Sequence, residues 1–222
     1  MWEHRTTRNQ NRWFSSYHGT MRNNKRHEGK SLTLSGGKTI PCVESAVYLG
    51  HTITNSLSDA PHLRLRASKA AQVFGALGKN LMRSNHVWKK VKTIVFESMI
   101  LPTLLGGVEC CVLTQQALDE LTTAYHRMVR AFIHISPYTQ RKWKLTSEVL
   151  LDRIGLKPLH YYVDLKILGF AGHVERMGPE RRPKRIRDGT LSGPKLSGGQ
   201  YKTHHQTVEE CANCKGLTEW KK

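Results

Sequence analysis

The chain has 222 residues, 38% hydrophobic and 23% charged, which suits one ordinary domain or two small ones. Its 35 Lys and Arg against 17 Asp and Glu leave a net charge of +18, a surface that repels itself unless a polyanion neutralises it. Nucleic acid is the first partner to consider and an anionic membrane surface the second; no run nears the ~18 unbroken apolar residues of a membrane span, and residues 1–30 hold no apolar signal core.

The cysteines are Cys42, Cys110, Cys111, Cys211 and Cys214. An odd number with two adjacent argues against a secreted disulfide framework and for a reducing intracellular compartment, nuclear or cytoplasmic. Cys110 and Cys111, in an apolar stretch, read as small buried hydrophobes.

Four zones are expected. Residues 1–30 form a disordered basic arm, and 31–57 form a β hairpin or three-stranded edge. Residues 58–178 form a helical bundle, and 179–222 a flexible basic tail too polar to offset its ordering entropy. The fold class is mainly α with a small N-terminal β element.

In chain order, Leu32–Leu34, the turn from Ser35 to Lys38, and Thr39–Ile40 read as a hairpin. A further strand runs through Ala46–Leu49 and on to Thr52–Thr54. Asp59 caps a helix in which Leu63, Ala67, Ala70, Phe74, Leu77 and Leu81 line one face. Asn85 caps a second helix, with Trp88, Val91, Val95 and Met99 inward, Lys89, Lys90 and Lys92 outward, and Pro102 as its stop. A third starts at Thr114, buries Leu118, Leu121, Tyr125, Met128 and Phe132, and ends at Ser136-Pro137. A short helix over 147–154 is closed by Gly155. Pro158 opens the last one, with Leu159, Val163, Ile167, Phe170 and Val174 inward.

The cations on these helices lack the interspersed acids of an ordinary solvated face. Lys89, Lys90 and Lys92 have no acid closer than Glu97, and Arg127 and Arg130 none closer than Glu120. Arg64, Arg66, Lys69, Lys79, Arg83, Lys89, Lys90, Lys92, Arg127 and Arg130 are therefore candidate phosphate contacts. In the tail, His204, His205, Cys211 and Cys214 could supply four tetrahedral zinc ligands, although the His-before-Cys order and short spacing fit an unstructured tail with free thiols better. No other cofactor is expected. Hydrolase, zinc-protease and nucleotide-loop motifs are absent, and no acid pair sits in an apolar strand where two metal ions could be held. The chain does not read as an enzyme.

The order of certain segments resembles the non-LTR, LINE-like retrotransposon reverse transcriptases. The segment 47–54, Val-Tyr-Leu-Gly-His-Thr-Ile-Thr, is similar to the strand that follows the palm, and the Arg/Ala-rich helix 62–83 comes next. Residues 99–113 and Gly172-His173-Val174-Glu175-Arg176-Met177, followed by Arg182-Pro183, resemble the later signatures. Gly107 and Cys111 stand where the family commonly has Tyr and Trp. The resemblance covers 32–185 and implies the end of the palm, the thumb and part of the connection. It places Tyr48, Leu49 and Gly50 near the primer grip and turns Lys-rich helices, with His173 and Arg176, toward an RNA or an RNA–DNA duplex. The family's catalytic acids belong upstream of Tyr48, and residues 1–31 contain no Asp. Magnesium chemistry would thus belong to a palm and fingers outside the chain, and those missing portions would be partners. No membrane role follows. The alternative is an inert or assembly module left by a truncated element.

Overall fold

The computed structural model of the protein describes residues 32–33, 37–41, 43–55, 58–188 and 204–216. The expected basic arm, the hairpin's Ser35-Gly36 turn and tail residues 189–203 and 217–222 lie outside them. The chain divides into two units, Met1–His62 and Leu63–Lys222.

In the first unit β1 (Leu32–Thr33) pairs antiparallel with β2 (Thr39–Ile40), the expected hairpin. The second expected strand is instead two. β3 (Ser45–Tyr48) and β4 (His51–Thr54) form their own antiparallel hairpin, in register from Ser45↔Thr54 to Tyr48↔His51. Its loop is Leu49-Gly50, with φ of 48° and 80°. Two successive positive φ values make the tight turn that matches strand twist. Gly50 accepts that geometry without a Cβ clash; Leu49 does not. Among the described residues neither pair extends to a third strand, so the edge is two two-stranded sheets. Past β4, the Thr54 hydroxyl exchanges hydrogen bonds with the Ser58 backbone. The Thr52 N–H donates to His62 Nδ1 at 3.2 Å, and the His51 ring stacks on His62 at 3.8 Å.

α1 (Ala60–Leu77) buries Leu63, Ala70 and Phe74 on the expected stripe and relaxes into a π turn over Gly78–Met82. The second helix departs from expectation at both ends. α2 (Lys89–Val95) begins after Trp88, not at Asn85, and runs through a π turn, Phe96–Ile100, into α3 (Leu101–Leu104). Pro102 does not stop it. The wider π turn moves the carbonyl that a proline ring would strike in a regular helix, and Leu101 N–H bonds back to Phe96 O. Ahead of the π turn the inward row already runs through Lys92 and not Val91, and past it the extra residue carries the row to Ile100, Leu101 and Leu104 in place of Met99. Lys92, Phe96, Ile100, Leu101 and Leu104 are buried, whereas Trp88 is 80% exposed and Val91 and Met99 are also out.

Gly107 (φ 82°) turns the chain, and Thr114 caps α4 (Gln115–Phe132) by accepting from Ala117 N–H. α4 buries Leu121, Tyr125, Met128 and Phe132 as its spacing predicts. Ser136-Pro137 does not merely end a helix: Ser136 caps a new one, α5 (Pro137–Lys142). α6 (Ser147–Ile154) closes on Gly155 (φ 75°) as expected. α7 (Leu159–Glu175) buries Leu159, Val163, Ile167 and Val174, with Ala171 taking the place expected of Phe170. Within the tail, α8 (Arg182–Asp188) and α9 (His204–Cys214) are helical, and Val208 and Ala212 are buried, α9 packing on α7. Two apolar residues four apart give that segment the face the composition concealed.

One aromatic hub organises the second unit. The Phe96 ring meets Phe74, Tyr125 and Phe132 edge-on, with centroids 6.3, 6.0 and 6.2 Å away. Tyr125 donates to Lys157 O at 2.7 Å, which satisfies its hydroxyl while burial drives its pKa up. The run Lys89–Cys110 is long and apolar enough by composition to cross a membrane, a match the residue-by-residue reading does not find; here Phe96, Ile100, Leu101 and Leu104 are core. Of the adjacent thiols, Cys111 is buried and donates toward Gly107 O at 3.3 Å, while Cys110 is exposed.

Candidate nucleic-acid interface

The helices sort the candidate cations into three groups. Some serve the fold. Lys92 is 7% exposed, its ammonium 5.9 Å from the Phe132 ring centre, so it does not lie on the outer face that the sequence assigns it. The Arg66 guanidinium covers Gly106 so closely that a Cβ there would meet it at 3.0 Å. Lys89 reaches across to Arg153 O at 2.6 Å, beside Thr93, whose hydroxyl donates to Ile154 O at 2.8 Å. These two side chains satisfy carbonyls at the negative end of α6.

One cation is exposed but matched. Arg64 grips Glu120 through two bonds of 2.7 and 2.8 Å. Each partner holds the other charged: the Glu120 carboxyl lies below its usual pKa because Arg64 bonds to it, and Arg64 lies above its own.

The rest face water. Lys69 on α1, Arg83 beyond it, Lys90 on α2, Arg127 on α4, and His173 and Arg176 at the end of α7 are exposed, with Arg130 half-buried. The Lys79 side chain lies outside the described residues. Arg130 also lowers the pKa of His126, after burial, which is the larger cause.

Tyr48, Leu49 and Gly50 form the tip of the β3–β4 hairpin in the first unit, with Leu49 89% exposed. Three of the four tail candidates have described side chains. His205 pairs with Glu209 at 3.0 Å, Cys211 turns to Asp164 on α7 at 3.5 Å, Cys214 is exposed, and the His204 side chain lies outside the described residues.

Sequence reading overlooked the end of α7, where Glu175 anchors α8. Lys184 donates to Glu175 O at 2.7 Å, and Arg187 pairs with its carboxylate, whose pKa is lowered by those two cations, Arg187 foremost. It also overlooked the exposed cations Arg141, Lys142 and Lys144 around α5. An open groove of about 290 Å³ lies between α2–α3 and α7. It holds the Tyr162–Glu97 bond of 2.8 Å, and burial chiefly pushes the Tyr162 phenol up to about 12.

The chain is similar to an uncharacterized transposon-derived protein of Caenorhabditis elegans, 28% identical over 136 residues, 60% of this chain and 47% of that protein. It thus spans about half the length of the curated relative it matches. No protein-family model matches the chain, and no solved structure matches it.

Proposed function

We propose that the chain is a non-catalytic, nucleic-acid-binding piece of a transposon-derived protein, corresponding to the thumb and connection of a non-LTR reverse transcriptase. The observation that carries this reading is the exposed set Lys69, Arg83, Lys90, Arg127 and Arg176, on three helices and at two helix ends of a chain with net charge +18. Likeness to a transposon-derived protein supports the element origin. In this role the helices grip the sugar–phosphate backbone of an RNA or an RNA–DNA duplex, and the chemistry belongs to a palm supplied by other sequence.

Fluorescence anisotropy with a labelled RNA–DNA duplex tests it. The logarithm of affinity should fall by about 0.7–0.9 per tenfold salt for each phosphate contacted. Affinity that stays flat with salt rejects the reading.

A second reading, an assembly module whose charge is idle, is favoured by exposed apolar residues on and beside α2. Val91 and Ile94 on the helix, Trp88 before it and Met99 in the π turn after it are all exposed. Light scattering that shows self-association unrelieved by duplex would select it.

A further inference from the structure

α5 contributes nothing to the core: none of its residues is buried. A helix of six residues with no buried face is too short to stand by propensity alone, so its ends must hold it. They do. The Ser136 hydroxyl accepts from Thr139 N–H at 3.0 Å, Pro137 occupies the first turn, and Leu145 N–H reaches back to Gln140 O at 3.0 Å. The Gln140 side chain adds a bond to Leu145 O at 3.1 Å. What this braced helix presents to solvent is Tyr138, 69% exposed, Arg141, Lys142, Trp143, 61% exposed, and Lys144.

Two further features set the segment apart. From Leu121 to Ser147 there is no acidic residue, and five Lys or Arg lie in that stretch. In addition, the turns closing α4 and α5 place His134 (φ 56°) and Lys144 (φ 49°) in the left-handed region. Glycine is the ordinary occupant of that helix-closing position. A bulky basic side chain is held there twice against local preference, and such strain marks places where a side chain matters more than stability.

We infer that α5 and its flanking turns form a stacking platform for unpaired nucleotides, in which Tyr138 and Trp143 take base faces while Arg141, Lys142 and Lys144 take phosphates. The inference rests on the nucleic-acid reading above and deepens it. Exposed aromatics among cations suit single strands, whose bases are free to stack, whereas a duplex offers only its backbone and groove edges. An anionic membrane would want apolar side chains in a continuous face; here Arg141 and Lys142 stand between the two rings in sequence.

The test uses the full chain with labelled oligo(dT), a DNA duplex of equal length, and anionic lipid vesicles. Tyr138→Ala and Trp143→Ala should each weaken oligo(dT) binding by roughly 5- to 150-fold, the worth of one stacked base, and change duplex binding less than about twofold. Trp143→Phe should restore most of the loss. Lys144→Gly should lower the salt slope on oligo(dT) by about 0.7 while the melting temperature stays level or rises. Equal losses on strand and duplex, or no loss on either while the native chain binds both, overturn the platform and leave the nucleic-acid reading standing. A native chain that binds vesicles but neither nucleic acid overturns both.

Discussion

The Lys92 ammonium sits 5.9 Å from the centre of the Phe132 ring, on the core side of α2, while Lys90, two residues away, faces water. A basic residue buried against an aromatic ring works through its methylene stem and its charge on the ring face, and it is out of reach of a phosphate. Lys92→Ala should therefore lower stability by about 1–2 kcal/mol and leave oligonucleotide affinity unchanged. Lys90→Ala should do the reverse. Urea unfolding and anisotropy on both variants separate the roles, and a binding loss at Lys92 without a stability loss would contradict the packing.

Phe96 is the residue on which the second unit turns, because its ring touches Phe74 of α1 and both Tyr125 and Phe132 of α4 and is fully buried. Truncation to alanine removes all three edge contacts and leaves a cavity that those rings cannot close together. The expected cost is about 3–5 kcal/mol, a fall of roughly 6–20 °C in melting temperature for a protein of this size. Thermal denaturation followed by circular dichroism measures it. A drop of only a degree or two would mean that the hub is not the centre of the core.

How far the sequence reveals these roles depends on how clean its periodicity is. α4 carries one apolar stripe with polar residues elsewhere, so Leu121, Tyr125, Met128 and Phe132 are readable as core from spacing alone. The segment that becomes α2 and α3 is apolar on nearly every side. Two rows, one through Trp88 and Val91 and one through Phe96 and Ile100, compete equally, and tertiary packing against Phe132 and its neighbours, which has no sequence signature, decides between them. Lys92 is then misplaced with its helix. α5 escapes notice for the opposite reason: it has no buried stripe, and its evidence is a Ser-Pro start that reads equally well as a stop. The surface cations are legible as charges, but which of them are engaged, as Arg64 is by Glu120 56 residues away, depends on tertiary pairing that no local pattern records.

His126 offers a pH signature. It is half-buried on α4, and burial, aided by Arg130, lowers its pKa from the ordinary 6.5. A histidine depressed in the folded state binds fewer protons than in the unfolded chain, so its contribution is intact above about pH 6.5 and is lost as pH falls through the folded value. Stability of the native chain should therefore decline on acidification below that point more steeply than stability of His126→Gln. Urea midpoints measured across that range check it; parallel declines would place the sensitivity elsewhere.

Glu120 restrains an exposed arginine whose fork is engaged on both carboxylate oxygens. Both of its carboxylate oxygens accept from Arg64, at 2.7 and 2.8 Å, so the guanidinium charge is matched before any phosphate arrives. An exposed pair of this kind adds little to stability, because water screens it and two long side chains lose freedom to form it. Its effect on a polyanion is larger: a phosphate must displace the carboxylate and endure its repulsion. Glu120→Gln removes the negative charge and frees Arg64 for the ligand. Affinity for an RNA–DNA duplex should rise, and the salt slope should steepen by about 0.7–0.9, the increment of one added phosphate contact. Because the native fold does not depend on the pair, its melting temperature should hold within a degree or two. Unchanged affinity with an unchanged fold would put this part of α1 outside the path of the nucleic acid, and the gripping surface would then have to be built from Lys90, Arg127 and the α7 end instead.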